Sequence, residues 1–366
     1  DAEALGAQNA ENLTAVFANA DKASDLKAVM EVAKEALGSG ESGSKKLNAS
    51  NASVLASTLQ NADKADSMKS VMDDAEALGI QNAENLTAVF ANADQANDLR
   101  DVMSVAKANL GTDDGTGVKK FNKSNASILT NTLKSADKAS DLKDVVNKAE
   151  SAGAISSLGT MLTNADQATD LKEVVEKAET AGASASLGTM FANADKATDL
   201  KEVVAKAESA GASASLGTMF ANADKATDLK EVVAKAESAG ASASLGKMFA
   251  NADQASDLAE MVKKAETAGA GASLGTMFAN ADKASDLADV VSKAEAAGAT
   301  SSLGAMFANA DKADSYKRVT DQLNSVGLES GLTDVFVNIA DVADVFDQVA
   351  GESGATVDQD FAKNIL

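Results

Sequence analysis

LGTMFANADKATDLKEVVAKAESAGASAS, residues 187–215, is followed at once by the same twenty-nine residues at 216–244, and looser copies fill most of the chain. A catalytic centre gains nothing from presenting one surface many times, whereas a stacked scaffold is made of such repetition. The clearest marker is Asn-Ala-Asp or a near variant, with its Asp at 21, 63, 94, 137, 166, 195, 224, 253, 282, 311 and 341. From Asp137 to Asp311 the step is always twenty-nine residues. Before that the steps are longer, and a larger period shows: residues 1–17 return nearly unchanged as 74–90.

Within one unit the apolar positions form two helical sets. Leu187, Met190, Phe191 and Ala194 stand at i, i+3, i+4 and i+7, and so do Leu200, Val203, Val204 and Ala207. Each set is one apolar stripe, which predicts a helix of about two turns, a tight corner and a helix of about four turns. At the corner Asp195 stands where an N-cap belongs, facing the amide of Thr198, and Asp199 adds negative charge to the first turn. Glu202 and Lys206 are four apart and predict an ion pair along one helix. Gly211 supplies the left-handed cap. Gly188 and the small residues 183–186 predict close approach between adjacent pairs. Six large apolar side chains cannot offset the ordering of twenty-nine residues, so each unit must share its core with its neighbours.

The predicted fold class is therefore all-α: a right- or left-handed solenoid of about eleven two-helix repeats. Residues 1–311 read as one continuous array, with Gly-, Ser- and charge-rich insertions near 38–47 and 111–121 projecting as loops; residues 312–366 read as divergent repeats. The general organisation is similar to that of the HEAT, armadillo and tetratricopeptide classes. The period is shorter than theirs and their Pro and Trp positions are missing, so the resemblance implies an architecture and no functional residue.

Composition narrows the chemistry. The chain has no Pro, Cys, His or Trp, one Tyr and 11 Phe. Without His or Cys there is no His-Cys zinc site, thiol nucleophile, Ser-His-Asp triad or redox pair. Carboxylates recur in every repeat and single out no acid-base pair, so no enzymatic activity is expected. A formal net charge of −22 at pH 7 disfavours nucleic acid and anionic lipid as partners, and no apolar run approaches the length needed to span a bilayer. The chain opens at Asp1 without an initiator Met, so either a secretory leader was removed, which is the preferred expectation, or the sequence is part of a longer product.

Four features are candidate sites. Asn193, Asp195 and Asp199, with their copies, gather hard oxygen ligands of the kind calcium takes, although helix capping is the stronger reading and neither a cofactor nor a metal is expected. Lys45, Lys46, Lys119 and Lys120 are basic points in the inserted loops; they read as solvated, or as docking on an acidic face of another subunit. Val335, Phe336, Ile339, Phe346, Phe361, Ile365 and Leu366 crowd the divergent C-terminal region and are the expected subunit contact, packing against residues 1–17 of another copy. Asn-x-Ser/Thr triplets begin at Asn12, Asn48, Asn51, Asn85, Asn122 and Asn125; Asn51 and Asn125 also read as N-caps, and glycan attachment is the weaker reading.

The expected function is structural: a subunit of an extracellular filament, tube or cell-surface appendage built by head-to-tail stacking, with the chain itself as partner and no small-molecule substrate. The alternative is a repetitive adhesin stalk or binding scaffold.

Overall fold

The computed structural model describes residues 10–41, 45–113, 115, 117–325, 332–339, 341, 342, 344 and 345. It is an all-α, solenoid-like set of two-helix repeats in which, within each compact unit, successive pairs pack on one another. Two compact units are distinguished: Asp1–Glu179 with Ser184–Thr198, and Thr180–Ala183 with Asp199–Leu366.

One repeat of the second unit shows how the sequence makes the fold. A 3-10 turn, Ser242–Ser244, leads into the short helix Leu245–Ala250; a second 3-10 turn, Ala252–Gln254, makes the corner; the long helix Ala255–Thr267 follows. The apolar stripes fall inside: Leu245, Met248, Phe249, Leu258, Met261 and Val262 are all buried, with Ala252, Ala255 and Ala265 filling the narrow space between the helices. Asn251 turns the chain by donating its Nδ2 to the carbonyl of Lys247 at 2.9 Å, closing the end of the short helix. The long helix stops at a left-handed Gly269 (φ +69°), with the amide of Ala270 bonded to the carbonyl of Ala265 at 2.7 Å. Gly211 (φ +69°) is likewise left-handed, as its place after the long stripe predicts.

In this second unit Ala226–Ser238, Ala255–Thr267, Ala284–Ala296 and Ala313–Ser325 pack in succession, and so do the short helices Leu216–Ala221, Leu245–Ala250, Leu274–Ala279 and Leu303–Ala308. The first unit is built alike: long helices Ala23–Leu37, Ala65–Leu78, Ala96–Leu110 and Ala139–Ser151 succeed one another, and so do the first helices from Ala10–Ala18 through Leu187–Ala192.

Both insertions belong to the first unit and have one design. After Ala96–Leu110, residues Thr112–Asp113 pair antiparallel with Lys119–Lys120 in a two-stranded ribbon; after Ala23–Leu37 the same place holds a single bridge between Ser39 and Lys46. Gly38 and Gly111 open the two loops, where a Cβ would lie 2.3 Å and 2.4 Å from the carbonyl oxygens of Lys34 and Lys107. Each loop also returns to its own helix, Lys45 reaching the carbonyl of Glu35 and Lys119 that of Ala108.

Gly188 corrects the expectation of close approach. A Cβ there would meet nothing within 4 Å, so this glycine leaves space open.

Candidate functional site

The most organised polar chemistry of the chain lies between repeats, and it starts at the corner. In the first unit Gln167 donates its Nε2 to the carbonyl of Asp195 at 2.9 Å, while its Oε1 accepts the amide of Thr198 at 3.1 Å. Gln95 makes the same two contacts with Asp137 (2.6 Å) and Ser140 (3.0 Å), and in the second unit Gln254 does so with Asp282 (2.8 Å) and Ser285 (3.0 Å). Where the position holds lysine, the ammonium of Lys22, Lys138, Lys225 or Lys283 donates to the carbonyl of Asp63, Asp166, Asp253 or Asp311. Thr198, the expected partner of Asp195, is thus capped from the repeat before. A local i, i+3 reading fails because the neighbouring repeat offers a longer side chain to the same orphan amide.

The first-turn carboxylates also cross the interface. Asp199 accepts Thr227 Oγ1 at 2.7 Å and Lys230 Nζ at 2.9 Å, and Lys230 reaches Glu202 at 2.9 Å. In the first unit Asp141 accepts Thr169 Oγ1 at 2.7 Å and Lys172 at 3.0 Å, with Asp144 at 2.6 Å from the same ammonium. Lys143 is likewise shared by Asp98 and Asp101, at 2.9 and 2.8 Å. Hydrogen bonds donated to these carboxylates hold Lys143, Lys172 and Lys230 above the ordinary lysine range, and Lys143 holds Asp101 below the ordinary carboxylate range.

A second ladder joins the far ends of the long helices. Lys206 meets Glu237 at 2.7 Å, Lys235 meets Glu266 at 2.6 Å and Lys264 meets Glu295 at 2.7 Å; Lys148 and Glu179 do the same in the first unit at 2.7 Å. Glu202 and Lys206, expected to pair along one helix, instead reach two different residues, Lys230 and Glu237, of the following long helix. Exposed pairs of this kind contribute about 0–1 kcal/mol each. Their effect is on register, while the buried stripes carry the stability.

Beside this ladder lies a shallow depression. In the first unit it measures about 650 Å³ and is lined by Asn147, Lys148, Ser151, Glu179, Ser184 and Leu187, among others. Four repeats on, the equivalent positions Lys263, Lys264, Thr267, Glu295, Thr300 and Leu303 line another of about 600 Å³.

The residues singled out by sequence fall as follows. Asn193 donates its Nδ2 to the carbonyl of Thr189 at 2.8 Å, the backbone carbonyl of Asp195 takes Gln167, and Asp199 is held by a hydroxyl and an ammonium. A carboxylate already neutralised by lysine is a poor calcium ligand, and among the described residues no three acidic groups gather as a metal would need. Lys45 lies at the carbonyl of Glu35 and 3.5 Å from its carboxylate; Lys119 Nζ donates to the carbonyl of Ala108 at 2.5 Å. Both place positive charge at the C-terminal end of the preceding helix, where the dipole favours it. Lys46 and Lys120 are exposed, each next to its bridging or paired partner in the loop.

Val335, Phe336 and Ile339, expected at a subunit contact, are buried in the chain's own core. The physical reason is register: Val335 and Phe336 stand twenty-nine residues after Met306 and Phe307 and fill the same positions. Phe346, Phe361, Ile365 and Leu366 lie outside the described residues. Among the glycan triplets Asn12 and Asn85 are fully buried, the latter with its Nδ2 on the carbonyl of Ile80 at 2.8 Å, so neither accepts a glycan in the folded chain. Asn51 and Asn125 accept the amides of Asn48 and Asn122, at 3.0 and 2.9 Å.

Sequence reading missed Gln95, Gln167 and Gln254. Their signal is the alternation of Ala-Asp-Lys with Ala-Asp-Gln at the corner. Among the described residues no helix is long and apolar enough to cross a membrane. No protein-family model matches the chain, and no curated protein or solved structure is detectably similar to it.

Proposed function

We propose that this chain is a structural protein, the subunit of an extracellular filament, tube or cell-surface appendage that grows by head-to-tail stacking of solenoids. One observation carries the reading. The contact between successive repeats is heterologous: Gln254 grips Asp282 and Ser285, and among the described residues no equivalent grip runs back in the other direction between the same two repeats. Lys283 then holds Asp311 in the next pair. A contact that joins two different faces and repeats with the same residue types has no inherent stopping point, and between chains it gives an open polymer. The net charge of −22 sets a repulsion that such a polymer must overcome, which makes its growth sensitive to salt. No catalytic role is proposed, since the polar groups of the interface are engaged with one another.

Negative-stain microscopy of the purified chain over a salt series tests this reading. Filaments or tubes are the expected result; monodisperse short rods at every salt concentration would refute it. Labelling intact cells with an antibody tests the extracellular placement.

A second reading has its own support. The depression beside Lys148 and Glu179 recurs beside Lys264 and Glu295 with matched lining. A recurring polar hollow fits a repetitive ligand, as in an adhesin stalk or scaffold. Short rods that bind a polysaccharide would favour it.

A further inference from the structure

Two orders of residues open the long helices. At 139–141, 168–170, 197–199, 226–228, 255–257 and 284–286 the first turn reads Ala, then Ser or Thr, then Asp; at 65–67 and 313–315 it reads Ala-Asp-Ser. The transposition turns the carboxylate round. Asp141 and Asp199, third in the turn, accept a hydroxyl and an ammonium from the repeat that follows. Asp66 and Asp314, second in the turn, accept the ammonium of Lys22 and Lys283 from the repeat before, each at 2.8 Å, with Arg100 of the following repeat 3.9 Å from Asp66. The corner residue changes with them. Gln95, Gln167 and Gln254 each precede a hydroxyl residue in second place, Ser140, Thr198 and Ser285, whose amide they accept. Asp66, Asp314 and Asp344 each meet a lysine, Lys22, Lys283 and Lys312, the last at 2.7 Å. Among the described residues no glutamine corner faces an Asp in that place.

We infer that the corner residue and the second residue of the next long helix form a matched pair that decides which repeat can stack on which. A neutral joint takes Gln with Ser or Thr, a charged joint takes Lys with Asp, and Gln against Asp is excluded. The donor and acceptor inventory gives the reason. The glutamine amide group is committed to the corner carbonyl, and its oxygen only accepts, so it suits an N–H or O–H and repels a carboxylate. Thr198 shows the fit, with its amide and its Oγ1 at 3.1 and 3.2 Å from Gln167 Oε1. A lysine ammonium has three donors and no acceptor. Lys22 gives one to the carbonyl of Asp63 and one to Asp66, and Lys283 treats Asp311 and Asp314 alike. Lysine also tolerates a hydroxyl in second place, because Thr169 and Ser256 turn to Asp141 and Asp228 of the repeat before. The rule applies to any repeat that stacks on a corner, in this chain or in a second copy, and stands whether or not chains polymerise. It gives nearly identical units a discrimination that their shared apolar stripes do not carry.

The experiment converts one joint into the other in the 366-residue chain. Ser285→Asp with Asp286→Ser gives the helix Ala284–Ala296 the transposed order, and Gln254→Lys is then added. Protection from hydrogen exchange in the first turns of that helix is the readout, with circular dichroism reporting the fold. The transposition keeps net charge and leaves one carboxylate in the first turn, so helix electrostatics alone predict little change. The matched pair predicts a fall of about fivefold in protection against Gln254, and recovery of most of it when Gln254→Lys is added. The reverse holds at the charged joint: Lys283→Gln should loosen the first turn of Ala313–Ser325, and Asp314→Ser with Ser315→Asp should restore it. Salt separates the two joints, since screening should weaken the chain carrying all three changes at 254, 285 and 286 and leave the wild-type joint as it was. The inference is overturned if the transposed turn is as well protected as wild type against Gln254, or if it gains nothing from Gln254→Lys.

Discussion

Gln254 Oε1 accepts the amide N–H of Ser285 at 3.0 Å, so the first turn of one long helix is capped by a side chain from the repeat before it. The same glutamine donates to the carbonyl of Asp282 at 2.8 Å. Capping and stacking are thereby one event: a repeat whose predecessor is absent loses two hydrogen bonds at its corner. Cooperativity between repeats has a polar as well as an apolar origin.

Replacing Gln254 by Ala should release the amide of Ser285 and cost ~1 kcal/mol, the usual worth of a helix cap. Native-state hydrogen exchange at Ser285 should quicken by roughly fivefold, with amides two repeats away unchanged. Gln254→Lys should fall between, since lysine at this position reaches the following carbonyl, as Lys283 does at Asp311, and has no acceptor to offer the amide. An unchanged exchange rate in Gln254→Ala would remove the cap from the account.

Where a short helix carries a phenylalanine, as Leu187–Ala192 and Leu274–Ala279 do, that ring should carry much of the apolar share of the stacking energy. Phe278 is fully buried, and Phe278→Ala should destabilise its neighbourhood by ~3–5 kcal/mol. Each repeat touches only nearby repeats, so the loss should appear as an early phase in urea titration of the helical signal and not as a shift of the whole transition. Phe17→Ala, at a 74% exposed site, should leave the monomer's transition within about 0.5 kcal/mol of wild type.

What was legible in the sequence is what one repeat decides alone. The stripe of Leu200, Val203 and Val204 and the left-handed Gly211 depend on helical period and local backbone, and both stand in the structure. The polar contacts did not follow from local spacing, because their partners lie one repeat away. Asp195 was expected to hold Thr198 and Glu202 to hold Lys206; the amide goes to Gln167, Glu202 to Lys230 and Lys206 to Glu237. A solvent-facing pair four apart on one helix competes with a partner on the adjoining helix at similar distance, and here the adjoining helix wins. Val335 and Phe336 show the reverse case: the drift of sequence around them hid a register that persists and buries them.

The glycines divide by surroundings, and substitution should separate them. Gly275, inside the helix Leu274–Ala279, has nothing within 4 Å of a would-be Cβ. Gly275→Ala should therefore stabilise by ~0.5–1 kcal/mol through helix propensity and a less free unfolded chain. Gly111→Ala would press a methyl to 2.4 Å from the carbonyl of Lys107 and 3.0 Å from that of Lys120, and should cost ~1–3 kcal/mol. Thermal melts of the two variants should move in opposite directions.

The charged ladders predict a stability plateau with two edges. Lys143, Lys172 and Lys230 lie above their ordinary 10.5 in the fold because carboxylates of the neighbouring repeat accept their hydrogen bonds, so the folded chain holds these protons more tightly than the unfolded chain. Their contribution is whole below pH 10.5 and is lost as pH rises through the folded values. Tyr316 acts in the same direction: burial, with Asp311, Asp344 and Asp341 adding to it, pushes its hydroxyl from 10.0 up to about 12, so folding weakens above pH 10. Asp66 and Asp314, held below 3.8 by Lys22 and Lys283, contribute above pH 3.8 and lose that contribution as pH falls through their folded values. Helical signal followed against pH should be flat between these edges, and high salt should lower the plateau by screening the exposed pairs. Tyr316 is the only tyrosine, so its tyrosinate absorbance reports the alkaline edge directly. Ionisation should be delayed to about pH 12 or coincide with unfolding. Its hydroxyl meets no hydrogen-bond partner among the described residues, so Tyr316→Phe should be neutral or stabilising at pH 7 and should soften the alkaline edge. Tyrosinate forming at pH 10 in a chain with full helical signal would show that Tyr316 is not held in the core.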